Sequence, residues 1–196
     1  MEKLEVARRQ LGAAMELFLQ NRDPVSVHCL ACGGAEIAEV LAKHSGTSFH
    51  NELMSGVSEQ ELKQIRNKHW NAFKHFNTRS GEARDDEALL SGFSDKDNDG
   101  VLYCGWFDYA AATGHLPIEV QVFQIWFYAL YGDEAALGQQ IMKISSGLFP
   151  NLRTKYRDEQ KRFLRKAIEK YRTSKRATTF KGTEKRPLLL GADLTA

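Results

Sequence analysis

The sequence predicts an all-α fold, a helical bundle of about six to seven helices with no substantial sheet. Apolar residues recur at steps of three and four along most of the chain, and no segment shows sustained alternation of period two. The chain has 196 residues, of which 42% are hydrophobic, so it can bury a sizeable core. We therefore expect one helical domain over residues 1–173, followed by a basic C-terminal tail over residues 174–196. Leu188, Leu189 and Leu190 are expected to dock this tail, which is otherwise expected to be mobile.

Periodicity and capping residues predict the first three helices. The first helix presents apolar residues at helical spacing, namely Leu4, Ala7, Leu11, Ala14 and Phe18. Asp23 followed by Pro24 is typical of an N-cap and a first helical turn, which predicts a second helix. Ser58, followed three residues later by Glu61, is a capping-box pattern and predicts a third helix that ends near Phe76.

The second half of the chain predicts further helices after an irregular stretch. Residues 77–92 are rich in charge, Gly and Ser, and are expected to form an ordered loop or a short extended piece. Ser94 is expected to cap a fourth helix, and Pro117 to start a fifth. Residues 133–145 predict a short helix and residues 152–172 a long basic one. The inward face of that long helix is expected to carry Tyr156, Phe163, Ala167 and Tyr171.

Charge is distributed unevenly along the chain. The formal net charge is +2, but residues 153–186 contain fourteen basic and four acidic residues. Such a segment is either a solvated, salt-bridged helix face or a surface that binds RNA or an acidic partner. The N-terminus lacks the apolar stretch of a secretory signal, and the apolar run over residues 118–130 is too short for a membrane span. We expect a cytoplasmic protein without membrane contact.

The third helix carries the candidate catalytic residues. Its apolar stripe consists of Leu62, Ile65, His69, Phe73 and Phe76. His69 lies in this stripe and is expected to be a hydrogen-bonded core histidine. Asn71, Lys74 and His75 cluster on another face. A neutral imidazole can accept a proton, an ammonium can hold a phosphate and an amide can orient either, which suits acid–base work on a phosphodiester. The alternative is an ordinary polar helix face.

The motif N-A-F-K-H at residues 71–75, preceded by a helix that opens D-P-V-S-V-H at residues 23–28, resembles small bacterial helical proteins. Those proteins are themselves similar to the HEPN (higher eukaryotes and prokaryotes nucleotide-binding) class. The resemblance covers residues 5–131 loosely and implies an all-α fold and a homodimer. Active members of that class are metal-independent RNases that use an Arg, then four to six residues, then a His, and the resemblance implies the same activity where this motif is complete. The final His of that motif would fall on His75.

The arginine of that motif is missing from its expected place. Lys68, His69 and Trp70 stand at those positions, and Arg66 precedes His75 by nine residues. We therefore expect a non-catalytic or degenerate HEPN-like module that binds a protein or nucleic-acid partner. The alternative is a metal-independent ribonuclease in which His75 acts with Arg66 or with Lys68, a point charge that lacks the two-pronged guanidinium geometry.

An acidic motif after the loop resembles half of a calcium-binding loop. The D-x-D-x-D-G pattern of an EF-hand is formed by Asp95, Asp97, Asp99 and Gly100. Trp106 occupies the twelfth position, where a bidentate Glu should close the calcium sphere. We expect weak calcium binding or none, with the aspartates stabilising the N-terminus of the fourth helix instead.

The cysteines predict thiols rather than a metal centre. Cys29 and Cys32 form one C-x2-C pair, and no second pair follows. A zinc site would need Cys104 or distant histidines to complete it. Three cysteines without a secretion signal are expected to be reduced, and no metal or other cofactor is expected.

Overall fold

The computed structural model describes residues 1–49, 59–186 and 188, and omits the side chains of residues 59, 61–66 and 135. The fold is all-α, as predicted: the described residues form seven helices of seven or more residues and contain no strand. Contacts divide the chain into two compact units, residues 1–113 and residues 114–196. The domain predicted over residues 1–173 spans the first unit and most of the second.

The helices of the first unit are α1 (Lys3–Leu19), α2 (Pro24–His44), α3 (Glu59–Lys74), α4 (Glu87–Ser91) and α5 (Asp97–Thr113). Asp23 caps α2, as predicted, because its carboxylate accepts hydrogen bonds from the backbone amides of Val25 and Ser26. The predicted N-cap of α3, Ser58, lies outside the described residues. The helix ends at Lys74, so Phe76 falls after the helix rather than on its apolar stripe.

The core of the first unit is a close junction of α1, α2 and α5. Leu11 of α1 lies between a glycine of each neighbouring helix. A Cβ atom at Gly34 would lie 2.7 Å from the Leu11 Cγ, and one at Gly105 would lie 2.7 Å from the Leu11 Cδ2 and 3.0 Å from the Ala35 Cβ. The two glycines therefore allow the helices to approach until Leu11 is completely buried.

The stretch predicted as an ordered loop, residues 77–92, also contains a short helix. Asn77 and Ala83 form an isolated antiparallel bridge, and α4 follows. Ser94 precedes α5, and the Asp97 carboxylate accepts hydrogen bonds from the Ser94 amide at 2.7 Å and from the Ser94 hydroxyl at 2.9 Å. Both side-chain hydrogen bonds thus run from Ser94 to the Asp97 carboxylate, and the chain is helical from Asp97 onward.

The second unit contains α6 (Ile118–Tyr131), α7 (Glu134–Leu137), α8 (Gln139–Leu148), a 3-10 turn (Leu152–Thr154), α9 (Arg157–Arg172) and α10 (Lys175–Thr178). The short helix predicted over residues 133–145 is in fact two helices, because Gly138 has a φ of 78° and ends α7. The long basic helix begins at Arg157, later than predicted, because the 3-10 turn occupies the residues before it.

α6 and α9 form the core of the second unit. The indole of Trp126 is buried and donates a hydrogen bond to the Gln160 carbonyl at 2.9 Å. The inward positions predicted for α9 are partly right: Ala167 is buried, whereas Phe163 and Tyr171 are half-buried. Tyr156 is 85% exposed, contrary to the prediction, because it is the N-cap residue and lies before the helical repeat begins.

The residues after α9 continue as ordered structure. α10 occupies the start of the region predicted as a basic tail, and Leu116 and Thr183 form an isolated parallel bridge. Leu188, which the sequence predicts to dock, is 2% exposed. The next two leucines of the predicted docking segment, residues 189 and 190, lie outside the described residues.

One helix in the described part of the chain, α2, is long and apolar enough to cross a membrane by length and composition. Half of its apolar window is buried, and α2 packs against α1 and α5 within the first unit. The core helix of a soluble protein passes the same test. The cytoplasmic location stays an expectation.

Candidate functional site

Two of the predicted site residues, Lys74 and His75, line an open groove of about 740 Å³ in the first unit. Both side chains are exposed. Neighbouring aromatic, apolar and charged residues complete much of its wall, namely Phe73, Phe76, Arg84, Asp86, Glu87 and Leu90. The groove forms at the point where α3 ends and the chain turns toward α4.

A turn in the backbone brings a distant arginine to this groove. The amide of Arg84 donates a hydrogen bond to the Phe76 carbonyl at 3.0 Å, so the intervening residues fold back on themselves. The Arg84 guanidinium then donates two hydrogen bonds to the Asp86 carboxylate, at 2.6 and 2.8 Å. These bonds raise the pKa of Arg84 and lower the pKa of Asp86. Arg84 could not be predicted at this groove because no local sequence pattern links it to α3.

The charges around the groove are balanced. Lys74 and Arg84 contribute two positive charges, and Asp86 and Glu87 contribute two negative ones. The Lys74 ammonium lies 4.6 Å from the centre of the Trp70 ring, a cation–π contact. The groove therefore offers an imidazole and an aromatic surface, but no excess of positive charge that would concentrate a polyanion.

The other predicted site residues do not join this groove. Asn71 is half-buried and Lys68 is exposed, and neither is among its lining residues in the described part of the chain. Lys68 precedes His75 by seven residues, which corresponds to about 10 Å along a helix axis. The side chain of Arg66 lies outside the described residues. The structure thus brings Lys74 and His75 to one groove and leaves Asn71 and Lys68 outside it.

Two buried histidines, His69 of α3 and His28 of α2, lie close together. His69 is 7% exposed, as expected for a core histidine, and its ring centre is 5.8 Å from that of His28 on α2. Phe73 stacks on the His69 ring. The other contacts of Phe73 and Phe93 with the two imidazole rings are edge-on. Burial lowers the pKa of His69, with Asp97 acting in the opposite direction. The sequence did not indicate that His28 joins this cluster.

The hydrogen bonds of His28 define its neutral form. Asn98 donates from its amide nitrogen to the Pro24 carbonyl at 3.1 Å, so the Asn98 oxygen faces the His28 Nδ1 at 2.9 Å as an acceptor. His28 therefore carries its proton on Nδ1, which leaves the Nε2 lone pair buried and without a hydrogen-bond partner among the described residues. Burial lowers the pKa of His28, which favours this neutral form.

The aspartate motif does not adopt a calcium-binding loop. The chain is helical from Asp97, and the Asp97 carboxylate is engaged by Ser94. Asp99 is buried, and Asp108 accepts a hydrogen bond from the Phe49 amide at 2.6 Å. The part of the chain that the structure describes contains no group of three or more His, Cys, Asp or Glu residues that could hold a metal ion. Weak or absent calcium binding stays a prediction.

All three cysteines are free thiols in the structure. Cys32 is buried, whereas Cys29 and Cys104 are half-buried. Burial and the nearby Asp23 carboxylate raise the pKa of the Cys29 thiol. Cys29 is therefore less readily ionised than an ordinary cysteine, which disfavours a nucleophilic role.

The basic C-terminal segment is partly a salt-bridged face and partly an exposed basic surface. Arg172 pairs with the buried Glu119 at 3.0 Å, Arg162 pairs with Glu159, and Lys161 is buried. The exposed Arg153 donates hydrogen bonds to the Ala129 and Gly132 carbonyls. Six other basic side chains are exposed and make neither a side-chain hydrogen bond nor an ion pair with the described residues: Lys166, Lys170, Lys175, Arg176, Lys181 and Lys185. We call these six residues the basic surface. They lie on α9, on α10, which packs against α9, and on the residues that follow.

Comparison of this chain with models of known protein families, with curated proteins and with solved structures gives no match. The function is therefore inferred from the chemistry of its own residues.

Proposed function

We propose that this protein is a non-catalytic helical module that binds RNA through the basic surface. The observation that carries the proposal is the set of six exposed basic side chains without ion pairs to the described residues. Ion pairs within the protein neutralise Arg162, Arg172 and Arg186 of the same segment. These six are thus available to contact phosphates and release the counterions that surround RNA, which is the main source of sequence-independent affinity.

The positions of these residues suit an extended polyanion. Lys166 and Lys170 are four residues apart on α9, so they lie on the same face about 6 Å apart along the axis. Lys175 and Arg176 then extend the positive charge beyond the end of α9. Most of these residues are lysines, which act as point charges rather than as two-pronged readers of a base edge. Binding should therefore be largely independent of RNA sequence.

The module is proposed to be HEPN-like and dimeric on the basis of its resemblance to that class. The all-α fold supports this proposal because a helical bundle is what the class requires. A size measurement in solution tests the dimer, with elution at twice the chain mass as the expected result. Elution as a monomer at micromolar concentration would contradict it.

The proposed binding is tested with two charge-matched triple variants. K166Q/K175Q/K181Q removes three charges from the basic surface, and K3Q/K96Q/K143Q removes three exposed lysines elsewhere. Both variants have the same net charge, so a difference between them reports position. We expect fluorescence anisotropy with a labelled RNA to show weaker binding for the first variant only. Equal loss in both variants would contradict a dedicated surface.

The alternative is a metal-independent ribonuclease that uses His75. It is favoured by the observation that His75 and Lys74 line the same open groove. Cleavage of RNA needs a base near the attacking 2′-hydroxyl and a cation near the charged transition state. In the groove, the Arg84 guanidinium is already paired with Asp86, and the remaining charges balance. This arrangement favours a non-catalytic module over a ribonuclease.

A further inference from the structure

An aromatic side chain stands exposed within the basic surface. Phe180 is 63% exposed, although a large apolar ring would normally be buried. Lys181 follows it directly, and α10 with Lys175 and Arg176 precedes it. Exposed aromatic rings between positive side chains are characteristic of surfaces that bind unpaired nucleic-acid bases.

The turn that carries Phe180 is fixed rather than loose. The Thr183 hydroxyl donates to the Ala177 carbonyl and the Thr183 amide donates to the Phe180 carbonyl, both at 2.9 Å. The segment is also fastened to the start of α6. The Leu116 amide donates to the Gly182 carbonyl at 2.9 Å, and the Leu116 carbonyl accepts from the Glu184 amide at 2.8 Å.

Gly182 leaves room for the Phe180 ring at this turn. A Cβ atom at Gly182 would lie 2.9 Å from the Phe180 Cε1, closer than real Cβ contacts allow. One edge of the ring therefore rests against the backbone of Gly182 while most of its surface stays exposed. A ring held in this way loses little conformational entropy when a flat ligand stacks on it.

We propose that Phe180 is a stacking platform for an unpaired base, so that the protein prefers single-stranded RNA to duplex RNA. This inference rests on the RNA-binding function proposed above. Bases in a duplex are already stacked on their neighbours and cannot reach the ring without disrupting the helix. An unpaired base can stack on Phe180 while Lys181 and Arg176 contact the adjacent phosphates.

The test compares the affinities of the full chain for a single-stranded RNA and for the duplex of the same sequence. Wild type should bind the single strand more tightly than the duplex at equal salt. F180L keeps an apolar side chain but removes the aromatic face, and should lose about 5- to 150-fold in affinity for the single strand. Its affinity for the duplex should not change. Because Phe180 is exposed, F180L should fold as wild type does by circular dichroism.

A matched control and a spectroscopic readout sharpen the experiment. Y156L removes another exposed aromatic ring from the same unit, and should leave both affinities unchanged. F180W should retain single-strand binding, and its additional emission should be quenched by the single strand but not by the duplex. Both results are expected only if a base stacks at residue 180.

The outcomes separate this inference from the proposed function. Equal affinity of wild type for single strand and duplex, or an F180L variant that binds the single strand as wild type does, would overturn the stacking role while RNA binding stands. Failure of wild type to bind either RNA would overturn both. A loss in Y156L as large as that in F180L would also refute a specific platform at Phe180.

Discussion

Acidification should destabilise the first unit through its two buried histidines. His28 and His69 are 2% and 7% exposed, and the pKa of each is lowered, chiefly by burial. At a pH between the lowered folded-state pKa values and the unfolded-state pKa of about 6.5, the unfolded chain therefore binds more protons than the folded chain. The free energy of unfolding has its full histidine contribution above about pH 6.5 and loses it as the pH falls.

The magnitude follows from proton linkage. Each histidine that stays neutral in the folded state while it is protonated in the unfolded state adds about 1.4 kcal/mol per pH unit to the slope of the free energy of unfolding against pH. Two such histidines give a slope of up to about 2.7 kcal/mol per pH unit, until the pH reaches their folded-state pKa values. Asp97 attracts both imidazolium forms and reduces this slope, whereas Lys68 acts in the opposite direction on His69.

The assay is urea denaturation followed by tryptophan fluorescence, at several pH values between about 5 and 8. H28Q removes one titrating ring and keeps a side chain that can donate to Asn98, so its free energy of unfolding should depend less steeply on pH than that of wild type. H44Q, which removes an exposed histidine, should keep the wild-type slope. A wild-type free energy of unfolding that does not change between about pH 5 and 7 would show that folding does not keep the two histidines neutral.

Three further predictions follow from other parts of the molecule. G105A should lower the free energy of unfolding by about 1–3 kcal/mol because its new methyl group would overlap Leu11, whereas G100A, which has open space, should be neutral or stabilising; thermal denaturation compares them. Isothermal titration should detect no micromolar affinity for calcium at residues 95–106, because their backbone is helical from position 97. Wild type should leave RNA intact in EDTA, and cleavage that disappears in H75A would instead support the ribonuclease alternative.

The helices could be predicted from the sequence because their signals are local. Apolar spacing identified α1, and the Asp23 carboxylate identified the start of α2. The errors fall at helix ends, where periodicity gives no boundary. Phe76 and Tyr156 were assigned inward positions by extending a helical repeat, but the structure places each just outside its helix and leaves it exposed.

The site was predicted only where its residues are close in the sequence. The predicted cluster was Asn71, Lys74 and His75, and the structure brings only the adjacent pair Lys74 and His75 to one groove. Arg84 reaches the groove through a backbone turn, and His28 meets Asn98 across 70 residues. No periodic pattern reports such tertiary contacts. Among the fourteen basic residues of the C-terminal segment, the sequence also could not separate those in ion pairs from those that form the basic surface.

The salt dependence of RNA binding tests the proposed function most directly. A plot of log affinity against log salt concentration should have a slope of about −3.5 for a single strand if about five of the six side chains contact phosphates. The affinity should then fall about 100-fold between about 50 and 200 mM salt. The slope of K166Q/K175Q/K181Q should be shallower by about 2, whereas that of K3Q/K96Q/K143Q should match wild type. RNA binding that does not change with salt, or an unchanged slope in the first variant, would contradict the proposal that this surface binds RNA.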